Sequence, residues 1–544
     1  MIPTNRRTLS RSLFVLPLLF GIAGALFAPS CDDAICDVED NAGCPDGQVC
    51  AADGSGVLGC FACSPTSAKG CAAGQVCVVD SKGNPGCFCD VATKAGCADG
   101  KVCLADPKGD PACYCNTETE GGCGDGNVCE DVPSDYPACF KPVTVGGSVF
   151  NLENAAAIAD ARVVGRDANF AALTGVATTD AMGNYVLTVP VPRKKDGSLL
   201  PLQIFLRSDA AGFQTFPTAP RVALPIEVST ASGDPPHLEN SATDIGMVAL
   251  ANGASLGTVS GKVLAPVPIG TLVVAGGAVD MGGGVTGIAG TDGTYKVFNV
   301  PPGSVTVHGY KVGLQLGSNT ANVAAGAETP GVDLADNGEA LAVVSGSVQI
   351  VNPGMGSDTS IILVVDETFD PTALRGEAPP GLRAFPVSGA FTIPAVPDGN
   401  YVVLAAFEND FLTRDPDTSI GGTSIVRISV KGGNVAVSES FKVTGSLDHP
   451  SPDGEQVVTG TPTLSWDDDS GEDHYEVKVF DAFGTKVWED LAVPGVSGDK
   501  RVEVSYGGPP LVSGRLYQFR ATSIKNGGSP LATTEDLRGV FLFQ

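Results

Sequence analysis

The sequence has few of the residues that most active sites require. It holds 4 histidines and 2 tryptophans in 544 residues. His237, His308, His449 and His474 are scattered, and none has a second histidine nearby. A histidine-rich metal site or a Ser-His triad therefore has little material here. After the first 30 residues, no apolar run approaches the roughly 20 residues that a transmembrane helix needs.

Basic and aromatic residues are also scarce. Lysine and arginine number 33 against 61 acidic residues, which gives a net charge of -28. Because nucleic acids and anionic lipids bind clustered basic side chains, this balance argues against both as partners. Aromatic residues make up 6%, whereas there are 70 glycines and 39 prolines. That composition favours short strands and turns over helices.

Cysteine is absent after Cys139, and all 17 cysteines lie between Cys31 and that position. Sixteen of them follow one spacing, C-x7-C-x5-C-x9-C, in four consecutive copies. The copies are Cys36, Cys44, Cys50, Cys60; Cys63, Cys71, Cys77, Cys87; Cys89, Cys97, Cys103, Cys113; and Cys115, Cys123, Cys129, Cys139. Segments this short bury too little apolar surface to fold without cross-links, so the spacing predicts disulfides and an oxidising compartment.

The copies share G-C-x-x-G-x-V-C around their middle cysteines. The glycine inside the five-residue gap predicts a tight turn with positive φ, and the valine predicts a short strand. Pairing within a copy allows three connectivities, among which the sequence does not choose. A zinc or thioredoxin-like site is the alternative, but the one C-x-x-C, Cys60–Cys63, lies at a junction between copies and no βαβ pattern surrounds it.

The first 30 residues read as a secretory signal, with Arg6, Arg7 and Arg11 before an apolar run and small residues. Without them the net charge becomes -31, since three arginines and no acid are lost. Cys31 follows directly and is the one cysteine outside the four copies. This arrangement resembles a bacterial lipobox, which implies an acylated Cys31 at the start of the mature chain. The alternative is ordinary cleavage that leaves Cys31 free or mispaired.

From Val143 onward a second repeat begins. Its first strand carries G-x-V at Gly147, Gly261 and Gly346, and its return hairpin is closely similar at 293–307 and 389–403. Segments alternate apolar and polar residues between Gly and Pro, which predicts half-buried antiparallel strands. In the first copy a polar insertion, Arg193-Lys194-Lys195-Asp196-Gly197, replaces the tight P-x-G turn. The combination resembles the carboxypeptidase regulatory-like domain, which implies a non-catalytic, transthyretin-like sandwich.

The last hundred or so residues differ from that repeat. Pro462–Trp466, Tyr475–Phe480 and the run from Leu511 to Arg520 are similar to a fibronectin type III domain. The resemblance implies that Trp466 is a core residue of an early strand and that Tyr517 is a tyrosine-corner residue.

These patterns predict an all-β chain of tandem antiparallel β-sandwiches preceded by a disulfide-rich region of four repeats. The predicted boundaries are a signal peptide at 1–30, a cysteine-rich region at 31–140, regulatory-like sandwiches at 143–252, 256–341 and 343–444, and a fibronectin type III-like domain at 446–544.

The acidic loop with Asp467, Asp469 and Asp473 is the best candidate for a metal site. Position twelve of the loop is Lys478, where an EF-hand requires a bidentate Glu, so a solvated loop is favoured and calcium is the minor alternative. Asp410, Asp415 and Asp417 around Arg414 form a second candidate of this kind. Trp488 suits sandwich packing better than stacking on a sugar ring.

Two short motifs match catalytic or nucleotide-binding patterns without the context those patterns need. Gly253–Gly257 reads G-x-S-x-G but precedes a strand with no elbow, and Gly282–Gly287 reads G-x-G-x-x-G in a hairpin loop. We therefore expect no catalytic residues and no cofactor apart from the calcium alternative.

The expected function is that of a non-catalytic, lipid-anchored protein of a Gram-negative cell envelope, at the outer membrane or cell surface. It would serve as an adhesin, scaffold or spacer with an unknown protein or polysaccharide ligand. A carbohydrate-binding accessory protein is the first alternative, and it predicts an exposed aromatic platform. A hydrolase predicts a deep pocket lined by carboxylates or a histidine, and a calcium-stiffened adhesin predicts a melting temperature that chelation lowers.

Overall fold

The computed structural model describes residues 36–544 apart from short gaps. The gaps are 40–42, 68, 99, 107, 120, 125, 134, 219–220, 280, 372–374, 406–409, 415–424, 439–440, 470, 497–500 and 526–527. The described residues contain forty-one strands, three short 3-10 helices and no α-helix, so the prediction of an all-β chain is confirmed. No helix in this part of the chain has the length and apolarity to cross a membrane. The described residues form two compact units, 36–96 with 105–112, and 97–104 with 113–544.

In the first unit, two copies of the cysteine repeat each form a short hairpin. The first hairpin consists of β1 (Val49–Ala52) and β2 (Leu58–Phe61), and the second of β3 (Gln75–Val79) and β4 (Pro85–Cys89). The bridges Cys36–Cys50, Cys44–Cys60, Cys63–Cys77 and Cys71–Cys87 join the first cysteine to the third and the second to the fourth. The glycine of each five-residue gap has positive φ, 86° at Gly47 and 82° at Gly74, as predicted.

The third and fourth copies contribute β5 (Val102–Ala105), β6 (Pro111–Tyr114), β7 (Val128–Glu130) and β8 (Ala138–Phe140). Their described bridges, Cys97–Cys113, Cys115–Cys129 and Cys123–Cys139, keep the same connectivity. Cys89 and Cys103 are disulfide-bonded as well. The prediction of disulfide bonds in this region is confirmed.

Four β-sandwiches follow in the second unit, and the first two share one plan. The first sandwich consists of β9 (Val143–Asn151), β10 (Arg162–Arg166), β11 (Ala172–Thr178), β12 (Asn184–Val189), β13 (Gln203–Asp209), β14 (Ile226–Glu227), a 3-10 turn (Val228–Thr230), β15 (His237–Leu238) and β16 (Ile245–Met247). The second consists of a 3-10 turn (Gly253–Ser255), β17 (Gly257–Leu264), β18 (Leu272–Ala275), β19 (Val285–Ile288), β20 (Thr294–Val300), β21 (Gly303–Tyr310), β22 (Asn319–Val323), β23 (Glu328–Thr329) and β24 (Leu334–Ala335).

The third sandwich repeats this plan, and the fourth differs from it. The third consists of β25 (Ala342–Val351), β26 (Thr359–Val365), a 3-10 turn (Asp366–Thr368), β27 (Arg383–Val387), β28 (Ala390–Val396), β29 (Gly399–Ala405), β30 (Leu412–Arg414), β31 (Val426–Val430), β32 (Val435–Ala436) and β33 (Phe441–Gly445). The fourth consists of β34 (Gln456–Val458), β35 (Thr463–Asp467), β36 (His474–Asp481), β37 (Lys486–Pro494), β38 (Arg501–Ser505), β39 (Arg515–Lys525), β40 (Ser529–Thr533) and β41 (Val540–Phe543).

In the first three sandwiches, one sheet is built around the first strand. Strands β9, β17 and β25 each pair antiparallel with the fourth strand of their sandwich and parallel with two short final segments. The opposite sheets have the orders β11-β10-β13-β14, β19-β18-β21-β22 and β27-β26-β29-β31. The fourth sandwich packs the sheet β34-β41-β39-β36-β37 against the pair β35-β38.

The glycine of the G-x-V motif lies where the final strand is interrupted. Gly261 is directly opposite Tyr295 on β20, and a Cβ on Gly261 would stand 2.1 Å from the Val332 carbonyl oxygen between β23 and β24. The Tyr295 hydroxyl donates to that same oxygen. The motif therefore marks a close backbone approach that any side chain at this position would block.

The other two copies of this contact follow the same geometry. Gly147 is opposite Tyr185, whose hydroxyl donates to the Thr243 carbonyl oxygen at 2.6 Å. In the third sandwich Phe391 is opposite Gly346, and its ring covers the glycine without a hydroxyl to donate.

The apolar cores of neighbouring sandwiches join. Leu516 and Val540 of the fourth sandwich belong to the buried cluster of the first, and Leu272 and Tyr310 of the second belong to that of the third. Within the fourth sandwich, Trp466 is fully buried and packs edge-on against Tyr475, so the predicted core role of this tryptophan is confirmed.

Candidate functional site

The polar insertion of the first sandwich holds the fourth cysteine copy. Arg193 Nε donates to the buried carboxylate of Glu130 at the end of β7, and Arg193 Nη2 donates to the Lys141 carbonyl oxygen at 2.9 Å. The guanidinium also lies over the Phe140 ring at 4.9 Å. The Glu130 side chain is 0% exposed, so its buried charge requires compensation by the Arg193 guanidinium group. The insertion thus fixes the last disulfide-bonded copy against the sandwich.

A cavity of about 720 Å³, here named the junction cavity, lies where all four sandwiches of the second unit meet. Arg166 at the end of β10 lines it from the first sandwich, and Gly284 from the second. Arg375 lines it from the third sandwich, and Arg520 on β39 from the fourth. Strand ends and loops from distant parts of the sequence therefore build one site.

Phe170 separates two of the arginines of the junction cavity. The guanidinium carbons of Arg166 and Arg375 lie 5.4 and 4.8 Å from the centre of the Phe170 ring, which itself stacks on Phe205. Cations over an aromatic face are attracted by its quadrupole, the more so when water is excluded. The ring therefore holds both guanidinium groups at the cavity wall.

Glu377 joins the first and third sandwiches in this wall. Its Oε2 lies 3.2 Å from Arg166 Nη1, and its Oε1 lies 2.7 Å from Nη1 of Arg207, which is fully buried. Arg207 also binds both oxygens of Asp209 and the Thr286 hydroxyl of the second sandwich. Burial lowers the pKa of Arg166, whereas for Arg207 the two carboxylates outweigh burial and raise its pKa.

Arg221 forms another side of the junction cavity. Its Nη2 donates to the carbonyl oxygens of Phe483 at 2.7 Å and Gly246 at 2.5 Å, and its guanidinium lies over Phe216 at 4.9 Å. Within the described residues, Arg221 Nη1 and Arg166 Nε are buried and have no hydrogen-bond acceptor. Buried donors of charged groups are costly to leave unpaired, so these two nitrogens are exceptions to the usual pairing of buried polar atoms.

Asp536 lies behind the same wall and holds three arginines. Its carboxylate oxygens are 2.7 Å from Arg375, 3.2 Å from Arg414 and 3.0 Å from Arg520. Burial acts to raise the pKa of Asp536, but the three guanidinium groups outweigh it and hold the pKa far below its usual range. Burial lowers the pKa of Arg414 to about 10. The third and fourth sandwiches are therefore joined through one ionised carboxylate.

The neighbouring Glu535 is a buried acid whose pKa is raised, whereas that of Asp536 is lowered. It is 5% exposed, and its Oε1 accepts a hydrogen bond from the Phe411 amide at 2.7 Å. Burial raises its pKa to about 8, and the Asp410 carboxylate adds to the rise. Because the folded-state pKa lies above the usual glutamate value of 4.5, the protonated acid stabilises the fold at low pH. That contribution is lost as the pH rises through 8.

We expect Glu535→Gln to remove a pH dependence of stability. The wild-type free energy of unfolding should fall by on the order of 3 kcal/mol between about pH 5 and about pH 9, since one pKa unit corresponds to about 1.4 kcal/mol. The variant should lose much less across the same range. Urea unfolding at each pH measures this, with the exposed Glu503→Gln as the matched control. Equal pH profiles for wild type and Glu535→Gln would contradict the assignment.

The acidic residues of the predicted ion site also make contacts with protein groups. Asp467 contacts Arg501 and His449, each at 2.7 Å, and Asp469 accepts from the Ser523 hydroxyl at 2.8 Å. The Asp473 amide donates to the Ile524 carbonyl oxygen. Among the described residues, metal-capable groups of three or more consist of cysteines from the four copies, and those cysteines are disulfide-bonded. Calcium binding stays a prediction.

The remaining predicted residues lie as follows. Cys31, Asp415 and Asp417 are outside the described residues, while Arg414 pairs with Asp536. Trp488 is half-buried and packs edge-on against Tyr506 at 5.2 Å.

The two chance motifs sit in connecting segments. Gly253–Ser255 forms a 3-10 turn before β17. The G-x-G-x-x-G run lies in the loop between β18 and β19 and continues into β19. Its Gly284 amide donates to the Glu367 carbonyl oxygen at 2.8 Å, where a Cβ would stand 2.8 Å from that oxygen. Gly284 therefore allows a close backbone contact with the third sandwich.

Sequence reasoning missed the junction cavity. Its arginines are spread from Arg166 to Arg520 and share no spacing or motif. The one available signal was that Arg207 directly follows the apolar run Ile204–Leu206 and stands two residues before Asp209. That pattern indicates a buried ion pair but names no partner.

No protein-family model matches this chain. No curated protein matches it either. Among solved structures, it is similar to the Bacillus anthracis TIE protein, at 12% identity and a TM-score of 0.14, over 71% of this chain and 66% of that one. It is also similar to BcpA, the major pilin subunit of Bacillus cereus, at 12% identity and a TM-score of 0.14, over 56% of this chain and 100% of that one. A DUF3823 family protein from Bacteroides ovatus matches at 12% identity and a TM-score of 0.18, over 37% of this chain and 98% of that one. Likenesses of this strength assign no family, ligand or activity.

Proposed function

We propose that this chain is a non-catalytic, exported protein of a bacterial cell envelope, held by a lipid on Cys31 and acting as an adhesin or scaffold. Its partners would be the membrane, through that lipid, and an unidentified protein or polysaccharide. The outer membrane or cell surface of a Gram-negative bacterium is the proposed location.

The observation that carries the proposal is the state of the sixteen cysteines of the four copies, all of which are disulfide-bonded. Bridges of this density persist only where thiols are not kept reduced, which supports export. Cys31 is the odd cysteine beside them, directly after a signal-like segment, and an acyl chain accounts for it.

The sandwiches support a binding or scaffold role over catalysis. The junction cavity carries two carboxylates, Asp370 and Glu377, and no histidine among its described lining. Each oxygen of Glu377 is held by a guanidinium group, which leaves it poorly placed to act as a base. Trp466 is buried and Trp488 half-buried, so neither tryptophan offers the open platform that a sugar-binding role predicts.

Cys31→Ser tests the anchor. In the native host, the wild-type protein should sediment with membranes, and its intact mass should correspond to a chain that begins at Cys31 and carries acyl groups. The variant should move almost wholly to the soluble fraction, because no covalent lipid remains. Asp33→Asn is the matched control and should stay with the membranes. An unmodified Cys31, or equal fractionation of both variants, would refute the lipid anchor.

A further inference from the structure

The junction cavity carries positive charge in a strongly acidic protein. Its described lining contains four arginines, Arg166, Arg221, Arg375 and Arg520, against the two carboxylates Asp370 and Glu377, an excess of two positive charges. Arg207 and Asp536, which pair with lining residues, add one charge of each sign and leave the excess unchanged. The whole chain has a net charge of -28, so the sign is reversed locally.

Two of these arginines each have one buried nitrogen without a hydrogen-bond acceptor among the described residues. Arg166 is 5% exposed and its Nε has no acceptor among the described residues, and the same holds for Nη1 of Arg221. Both guanidinium groups are held in place, Arg166 by Glu377 and the Phe170 ring, and Arg221 by two carbonyl oxygens. Guanidinium groups fixed in this way keep their positive charge at the cavity wall, where a low dielectric strengthens its attraction for an anion.

The size and the remaining lining define the kind of anion. A volume of about 720 Å³ far exceeds a bare inorganic ion and falls in the range of small-molecule sites. Apolar surface comes from Phe170, Pro217 and Val285, and hydroxyl groups come from Thr215 and Thr218. Such a lining suits a carbon skeleton that carries an acidic group, since guanidinium forks match carboxylates.

We propose that the junction cavity binds a small organic carboxylate, with Arg166 and Arg221 as its principal cationic contacts. The ligand would bridge all four sandwiches and stabilise their association, because a ligand bound only to the folded state adds to its stability. This inference goes beyond the proposed function and does not depend on the lipid anchor, which a fractionation experiment tests separately.

Calorimetric titration of the purified full-length chain tests the proposal with three probes at matched ionic strength. Glucuronate is a carboxylate on a sugar ring, succinate is a dicarboxylate without a ring, and sulfate is an anion without carbon. At least one of the two carboxylates should bind saturably, about tenfold or more tighter than sulfate. Glucuronate as the tighter ligand would identify a sugar acid, and succinate an open-chain acid. The same ligand should raise the melting temperature.

Two variants and one control connect binding to the cavity. Arg166→Gln should weaken the carboxylate about tenfold or more, because a charge-assisted hydrogen bond is lost. Thr218→Glu, at a half-buried lining position, should weaken it likewise by placing a competing carboxylate in the cavity. Lys431→Gln removes one exposed positive charge outside the lining and should leave binding unchanged. Circular dichroism verifies the fold of each variant.

Three results would overturn the proposal. The first is the absence of saturable binding by both carboxylates to the folded wild-type chain. The second is sulfate binding as tight as that of the carboxylates, which would indicate a general anion site. The third is loss of affinity in Lys431→Gln equal to that in Thr218→Glu, which would indicate a diffuse charge effect. Should Arg166→Gln not fold, Thr218→Glu alone decides.

Discussion

Asp536→Asn is expected to destabilise the second unit by about 3–5 kcal/mol, because it leaves the half-buried Arg375, Arg414 and Arg520 without their shared carboxylate. The substitution keeps the shape of the side chain, so the loss reports charge rather than packing. Urea unfolding of the full chain at neutral pH measures it. The wild-type contribution should be present above about pH 4 and lost as the pH falls below it, since the folded-state pKa of Asp536 is depressed.

Glu503→Gln provides the control for this effect. It removes one negative charge from an exposed position in the same sandwich and should change the free energy of unfolding by no more than about 0.5 kcal/mol. If Asp536→Asn unfolds at the same urea concentration as this control, the three arginines are not held by that carboxylate.

Gly261→Ala is expected to cost about 3 kcal/mol or more, because the new Cβ would overlap the Val332 backbone and force apart two paired strands. The overlap is with a carbonyl oxygen at 2.1 Å and its carbon at 2.5 Å, neither of which can rotate away as a side chain would. Hydrogen exchange should show the amides of β17, β23 and β24 opening first, and calorimetry should show a lower melting temperature.

Gly317→Ala is the matched control in the same sandwich. A Cβ there would lie 3.8 Å from the Ala335 carbonyl oxygen, which is ordinary van der Waals contact. Its melting temperature should stay close to that of the wild type. Equal effects of the two alanines would mean that the G-x-V glycine is not needed for close approach.

Local patterns in the sequence predicted much of the fold. The Gly in C-x-x-G-x-V-C was expected to need positive φ, and Gly100 and Gly126 both have a φ of 73°. Alternation between Gly and Pro predicted half-buried strands, and β20 alternates buried residues with more exposed ones over most of its length. These predictions succeeded because φ preference and side-chain alternation are set within a few residues.

Other features were recognisable in the sequence, but their contacts in the folded chain were not. The insertion from Arg193 to Gly197 was recognised as a departure from the tight turn, but its partner Glu130 lies 63 residues earlier. The sequence could not distinguish the three possible disulfide connectivities within a copy. In the structure, the hairpin places the third and fourth cysteines directly opposite each other, as at Cys50 and Cys60. Each of these nevertheless bonds to a cysteine in the preceding loop.

The sequence by itself determined that this chain is all-β, rich in disulfide bonds and repetitive, because cysteine spacing, turn glycines and strand alternation are local properties. Tertiary structure alone decided that arginines from three sandwiches would share Asp536 and Glu377, and that a positively charged cavity would form in an acidic protein. Charges attract or repel through space, and which of them meet depends on how the sandwiches pack rather than on their order along the chain.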